Sequence, residues 1–155
     1  MSYLAVRDIT KIYATTRAVD SVSFTAEKGE IIALLGPSGC GKTTLLNLIA
    51  GFLQADGGTV LVDGVDLKDT PPHRRDMAMV FQSYALFPHM TVEANVAFGL
   101  EMRGVSKAEA RQRVADALKV VKLDGMQSRY PRQLSGGQQQ RIALARALVF
   151  DPELV

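Results

Sequence analysis

The sequence predicts an α/β fold, and three observations carry that prediction. A continuous aliphatic run over residues 31–35 leads straight into a glycine-rich loop and then a helical pattern. Short apolar runs separated by turn signals fill the first sixty residues, as strands do. In the second half, apolar residues recur at helical spacing instead. Strands, a loop, helices and an apolar restart at residues 151–155 describe an α/β plan with a small antiparallel part at the front.

The elements follow in order. Residues 4–9 and 22–25 read as antiparallel, half-exposed strands, and Lys28-Gly29-Glu30 as a turn. Residues 31–35 read as a strand buried on both faces. Residues 43–52 carry Leu45, Leu46, Leu48 and Ile49 without a proline, which predicts a helix. Residues 59–62 and 65–67 flank Asp63-Gly64, a pair suited to the φ > 0 hairpin turn. Pro71-Pro72 closes that unit, Arg74-Arg75-Asp76 reads as a solvated charged turn, and residues 77–81 read as another short strand. Ser106 and Glu109 form a capping-box pattern ahead of Val114, Leu118 and Val121 at helical spacing. Residues 138–150 predict a further helix, ended by Asp151-Pro152.

Composition narrows the class. The chain has 155 residues, of which 47% are hydrophobic and 22% charged, near the averages of globular domains and sufficient for one of them. Eighteen basic against sixteen acidic residues leave a net charge of +2, too little to recommend nucleic acid as a partner. A single cysteine excludes an internal disulfide and suits a reducing compartment. The apolar runs fall far short of the ~20 residues of a membrane span. The amino-terminal stretch Met-Ser-Tyr-Leu-Ala-Val-Arg-Asp lacks the pattern of a secretion signal. A soluble, intracellular single domain is the expectation.

The loop Gly36-Pro37-Ser38-Gly39-Cys40-Gly41-Lys42-Thr43 fits G-x-x-x-x-G-K-[ST] at every fixed position. Each residue type has a reason. Glycines let the backbone curl so that successive N–H groups point at phosphate oxygens. The helix beginning near Lys42 aims its positive pole at the same place. Lys42 brings a point charge for the β- and γ-phosphates, and the Thr43 hydroxyl is a hard oxygen suited to Mg²⁺. Cys40 occupies a variable position of the loop. The motif implies nucleotide binding without distinguishing kinase, GTPase, motor or transporter ATPase.

A second motif is Leu134-Ser135-Gly136-Gly137-Gln138. Ser-Gly-Gly at a helix start offers bare N–H groups and a hydroxyl without bulk, a second anion-binding terminus. The alternative is a serine N-cap followed by two flexible glycines. Two such termini in one small domain either converge on one ligand or serve two ligand molecules.

Together these motifs resemble the nucleotide-binding subunits of ATP-binding cassette (ABC) transporters, and the resemblance covers essentially the whole chain. It implies a P-loop NTPase domain of ABC type with an antiparallel amino-terminal part, a parallel core sheet and a helical signature subdomain at about residues 90–140. ATP would bind Gly36, Pro37, Ser38, Gly39, Cys40, Gly41, Lys42, Thr43 and Thr44. Tyr13 matches the aromatic that stacks on adenine, and Val19 its apolar neighbour. Gln82 matches the glutamine that reaches Mg²⁺ and the water near the γ-phosphate, and an amide suits that role because it donates and accepts without holding the water's proton. Thr43 and Gln82 are thus the implied metal contacts. Leu134, Ser135, Gly136, Gly137 and Gln138 match the signature that meets the ATP of a second copy in a head-to-tail dimer.

Segment 84–92, which opens at Tyr84 and closes at Val92, places Tyr84, Leu86, Phe87 and Pro88 together. By resemblance it meets the transmembrane permease subunits, in keeping with aromatic enrichment at interfaces. The subtype resembled is that of importers for polyamines, ferric iron and related solutes, spermidine/putrescine first, at the cytoplasmic face of the inner membrane. Two alternatives remain: a fragment that binds ATP without hydrolysing it, and a soluble ABC ATPase without a membrane partner. In the family, an aspartate, a glutamate and a histidine needed for hydrolysis follow the strand that Asp151-Pro152-Glu153-Leu154-Val155 begins. His73 and His89 come too early to replace that histidine. The expectation is therefore that these 155 residues alone lack the sheet's final strands, do not turn ATP over and are marginally stable.

Overall fold

The computed structural model describes residues 2–155, so Met1, the first residue of the amino-terminal stretch read above, lies outside the described residues. The chain divides into two compact units, one ending at Arg75 and the other spanning Asp76–Val155.

The first unit holds β1 (Leu4–Tyr13), β2 (Thr16–Ala26), α1 (Lys42–Ala50), β3 (Gly57–Val62) and β4 (Val65–Asp66). The strands form an antiparallel sheet in the order β2-β1-β3-β4. Leu4 pairs with Ala26 on one side and with Val62 on the other, so β1 is central. Leu4, Ala5 and Val6 are all buried, which makes the start of β1 more enclosed than the half-exposed strand its sequence predicts. Asp63 and Gly64 both have positive φ, 47° and 78°, as a two-residue hairpin joining twisted strands requires. Helix α1 buries Leu45, Leu48 and Ile49, and Leu48 shares a small cleft with Ile9, Val60 and Leu67.

Residues 31–35 correct a prediction, because they form no strand. Ile31 and Leu35 are 93% and 92% exposed. A strand is held by its neighbours' N–H and C=O groups, and among the described residues no strand pairs with this run. The run of apolar residues thus encodes burial without supplying its partner.

The second unit is helical: α2 (Val92–Met102), α3 (Lys107–Val120) and α4 (Gly136–Leu148). Its core joins Val92, Val96 and Leu100 of α2 to Val114 and Leu118 of α3 and Ile142 of α4, all essentially without solvent exposure. Caps fix the starts. Thr91 Oγ1 accepts from Ala94 N–H, Ser106 Oγ from Glu109 N–H and Ser135 Oγ from Gln138 N–H. The strand predicted at 77–81 is reduced to one parallel bridge between Met77 and Leu154, where Ala78 N–H donates to Leu154 O at 2.8 Å. Among the described residues this bridge is the only parallel pairing, so the expected parallel core sheet is not built. The apolar restart at 151–155 nevertheless supplies one of its two partners.

Candidate functional site

In the first unit the phosphate loop ends on the amino terminus of α1. Residues 36–40 are exposed, and a turn with Cys40 N–H donating to Pro37 O at 3.4 Å shapes them. Gly41 is the N-cap, with φ 96°, and contributes no side chain to cover the first-turn N–H groups. A Cβ on Gly41 would run into the carbonyl oxygen of Ala18 and lie 3.6 Å from Val19 Cγ2. Glycine at this position therefore lets the loop sit directly on β2. Val19 itself is 5% exposed and backs the loop from beneath.

Lys42 folds back over the loop, its Nζ donating to Gly36 O and Pro37 O at 2.7 Å each and to Cys40 Sγ at 3.4 Å. The ammonium thus stands at the concave side of the turn it follows. Thr43 is exposed and Thr44 half-buried in the first turn of α1. Tyr13, 47% exposed at the end of β1, has Lys11 Nζ 5.7 Å from its ring centroid. Lys11 is anchored by Gln54 O and by Asp56, whose other carboxylate oxygen accepts from Ile12 N–H at 2.7 Å. Those bonds hold the strand end that carries the ring.

In the second unit Gln82 lies in an exposed turn closed by Tyr84 N–H donating to Phe81 O at 2.9 Å. Tyr84 and Ala85 follow in left-handed conformation, with φ 61° and 46°. Residues 135–138 form a reciprocal capping box: Ser135 Oγ accepts from Gln138 N–H at 3.3 Å, and Gln138 Oε1 accepts from Ser135 N–H at 2.9 Å. The N-cap alternative is therefore realised in geometry. It does not exhaust Ser135, because a hydroxyl that accepts one hydrogen bond still has its own O–H to donate. Leu134 is buried, while Gln139 Nε2 donates to Pro131 O and Leu134 O and fixes the approach to the helix. Gly136 and Gly137 have helical backbone, and a Cβ on either would meet nothing within 4 Å.

Three residues escaped sequence reasoning. Asn95 is fully buried, and its amide ties down the segment before α2: Oδ1 accepts from Phe87 N–H, and Nδ2 donates to the carbonyls of Phe87, Met90 and Thr91. An amide three residues after Val92 and one before Val96 falls on the apolar helix face, which was the available signal. Arg146, the one charge within an apolar stretch of α4, donates to the carbonyls of Tyr84 and Ala85. Burial pushes its pKa down, yet it remains a cation. Arg75 corrects the solvated-turn reading of residues 74–76, because its guanidinium is half-buried against four backbone carbonyls of the first unit. Burial, the larger effect, lowers its pKa while nearby Asp66 raises it. Asp76 in the second unit also departs from that reading, pairing with Arg103 at 2.7 Å.

Among the described residues no group of three or more His, Cys, Asp or Glu side chains is placed to hold a metal ion, and no helix is long and apolar enough to cross a membrane.

Comparison with known proteins shows what the chain is similar to. The chain is 53% identical over its full length to the spermidine/putrescine import ATP-binding protein PotA of Nitrosomonas europaea, covering 43% of that protein. It is 55% identical to the putrescine transport ATP-binding protein PotG of Escherichia coli, over 98% of this chain and 40% of the relative. It is 47% identical to the Fe(3+) ions import ATP-binding protein FbpC of Escherichia coli, over 99% of this chain and 44% of the relative. The chain thus spans about two fifths of the length of these relatives. Among solved structures, the dimeric bacterial ABC transporter cassette MJ0796 superposes with a TM-score of 0.86 at 34% identity, over 96% of this chain and 70% of that one. Its post-hydrolysis dimer bound to ADP and Pi gives 0.85, again at 34% identity over 96% and 70%. The ABC transporter family model matches residues 19–155, from β2 through the phosphate loop and the Ser135 capping box to the last residue. With both helix-terminus motifs inside that match, the chain belongs to the ABC transporter family.

Proposed function

We propose that this chain is the ATP-binding part of an ABC importer, one nucleotide-binding domain over residues 1–155 with a helical subdomain at about residues 90–140. ATP lies with its phosphates on Gly36, Pro37, Ser38, Gly39, Cys40, Gly41, Lys42, Thr43 and Thr44, its adenine on Tyr13, and Val19 behind. A second copy, arranged head to tail, covers the same ATP with Leu134, Ser135, Gly136, Gly137 and Gln138.

The observation that carries the two-copy reading is the pair Gly136 and Gly137. Glycine in a helix costs about 0.5–1 kcal/mol relative to alanine. Here, among the described residues, no atom beyond the helix's own backbone and the chain neighbours lies within 4 Å of where a Cβ would stand. Packing within the chain therefore does not call for glycine, and close approach of a ligand held by another molecule does. The capped Ser135, with its O–H still free to donate, suits a phosphate oxygen in the same place.

For the whole protein we propose ATP hydrolysis. Backbone N–H groups of the loop and Lys42 bind the phosphate charge and hold it in place. Gln82 orients the attacking water by donating and accepting, without taking its proton. The Thr43 hydroxyl fits Mg²⁺, which commonly takes one or two protein oxygens besides nucleotide phosphates and water, and Gln82 is the second proposed contact. When bound, the ion offsets the charge on the phosphate oxygens.

Segment 84–92, opening at Tyr84 and ending at Val92, contacts the transmembrane permease, and the protein is peripheral on the cytoplasmic face of the inner membrane. A polyamine-like solute is the proposed cargo, supported by the names of the PotA and PotG relatives. The test is uptake by the whole transporter reconstituted in vesicles, with spermidine and ferric iron as competing cargoes. ATP-dependent spermidine uptake supports the reading; ATP-dependent iron uptake without spermidine uptake replaces the cargo, and no ATP dependence overturns the function.

A further inference from the structure

Helix α1 carries the phosphate loop but does nothing for its own ends. Its nine residues include no acidic side chain in the first turn and no basic one in the last, and its N-cap is a glycine. A helix of that length is roughly 13 Å long, with a partial positive charge at one end and a partial negative charge at the other. The negative end is served from elsewhere in the chain. Arg75 Nη1 donates to Ile49 O at 2.7 Å and to Leu48 O at 3.2 Å, two carbonyls of the last turn. The same guanidinium reaches the chain after β4, through Nε to Thr70 O at 2.8 Å and Nη2 to Leu67 O at 2.8 Å. Gly51, the left-handed C-cap with φ 84°, leaves the space Arg75 occupies, because a Cβ there would collide with the guanidinium.

We propose that Arg75 is a positioning residue of the phosphate loop. It clamps the carboxy-terminal turn of α1 to residues 67–70 and thereby sets where the opposite turn, with Lys42 and Thr43, meets phosphate. The clamp fixes position because a planar fork with donors in set directions engages four carbonyls at once. It also acts electrostatically. A cation at the negative pole leaves the positive pole to the anion at the other end. Lysine keeps the charge but lacks the fork. Arg75→Lys should therefore retain part of the effect, and Arg75→Ala none.

The inference rests on the proposed binding of ATP at this loop, so the experiment measures both. Titration calorimetry of the intact protein with ATP and with inorganic triphosphate is run on wild type, Lys42→Ala, Arg75→Lys, Arg75→Ala and Ser106→Ala. Each is measured where circular dichroism shows it folded. Ser106→Ala removes the cap of α3 and reports what a loss of stability alone does to binding. Arg75→Ala is expected to weaken both ligands by roughly five- to thirtyfold, the scale of losing a partly buried charge at a helix end. Arg75→Lys is expected in between, and Ser106→Ala at the wild-type value. Folded Arg75→Ala binding as wild type, or weakening no more than Ser106→Ala, overturns the positioning role while Lys42→Ala still loses binding. Wild type binding neither ligand overturns the nucleotide site itself. If Arg75→Ala does not fold, Arg75→Lys decides: wild-type affinity removes the need for the fork and contradicts the proposal, and weakened affinity supports it.

Discussion

Arg146 Nη1 donates to the carbonyl oxygen of Ala85 at 2.7 Å, joining the helix that begins at the Ser135 capping box to the turn that follows Gln82. Its other terminal nitrogen takes Tyr84 O at 2.9 Å, and its charge lies 5.7 Å from the Phe87 ring centroid. Two consecutive residues with positive φ are thus held by one cation on α4. Arg146→Ala should loosen this turn without unfolding the unit. The amide of Phe87 should then exchange with solvent about tenfold faster, the equivalent of one lost charge-assisted hydrogen bond. Unchanged exchange by mass spectrometry or NMR would show that the turn stands without Arg146.

Asn95 predicts a larger effect. Its buried amide makes four hydrogen bonds to residues 87–91; truncation takes the amide from Phe87 N–H and Met90 O, while Phe87 O keeps Met90 N–H and Thr91 O keeps the backbone N–H of residue 95. Asn95→Ala should cost about 2–4 kcal/mol of unfolding free energy. Asn95→Asp, nearly the same shape, should not rescue it, since an oxygen would then face the three carbonyls that Nδ2 now serves. Chemical denaturation of the two variants checks both statements.

The two glycines flanking Cys40 in the loop should differ. Gly39 and Gly41 both have positive φ, but a Cβ on Gly39 meets nothing within 4 Å, whereas one on Gly41 meets the backbone of Ala18. Gly39→Ala should cost roughly 1 kcal/mol, the strain of a left-handed alanine. Gly41→Ala should cost at least about 2 kcal/mol, because β2 or the loop must also move. Equal losses of stability for the two would contradict the close approach of loop and strand.

Acid should weaken the strand end that carries Tyr13. The bond from Ile12 N–H, and then that from Lys11, hold the Asp56 carboxyl below its ordinary pKa of 3.8. Because the folded value is the lower one, the contribution of Asp56 is complete above the unfolded pKa and disappears as pH falls through the folded pKa. Thermal unfolding followed from pH 6 down to pH 2 should show wild type losing more than Asp56→Asn. Parallel curves would show that the carboxylate contributes nothing.

What the sequence revealed was mostly local. Asp63-Gly64 marks its hairpin because both φ values must be positive, and Ser106 and Ser135 mark helix starts because their hydroxyls bond N–H groups three residues on. The phosphate loop was legible for the same reason, since glycine at 41 answers a contact the loop makes at once. Ile31 and Leu35 misled because an aliphatic run records that a segment is to be buried but not by what. Helix α2 falls inside the helical subdomain expected at about residues 90–140 but has no prediction of its own, although Val92, Val96 and Leu100 line one face. Arg75, Asn95 and Arg146 were illegible as anchors because their acceptors are backbone carbonyls, which carry no mark in a sequence.

The central claim, that residues 36–44 bind the phosphates of ATP, is tested most directly by calorimetric titration of ATP into wild type and Lys42→Ala. Binding by wild type, weakened at least about tenfold when the ammonium is removed, is the predicted result, in line with losing a charge-assisted contact to phosphate. Equal affinity of the two folded proteins would contradict it.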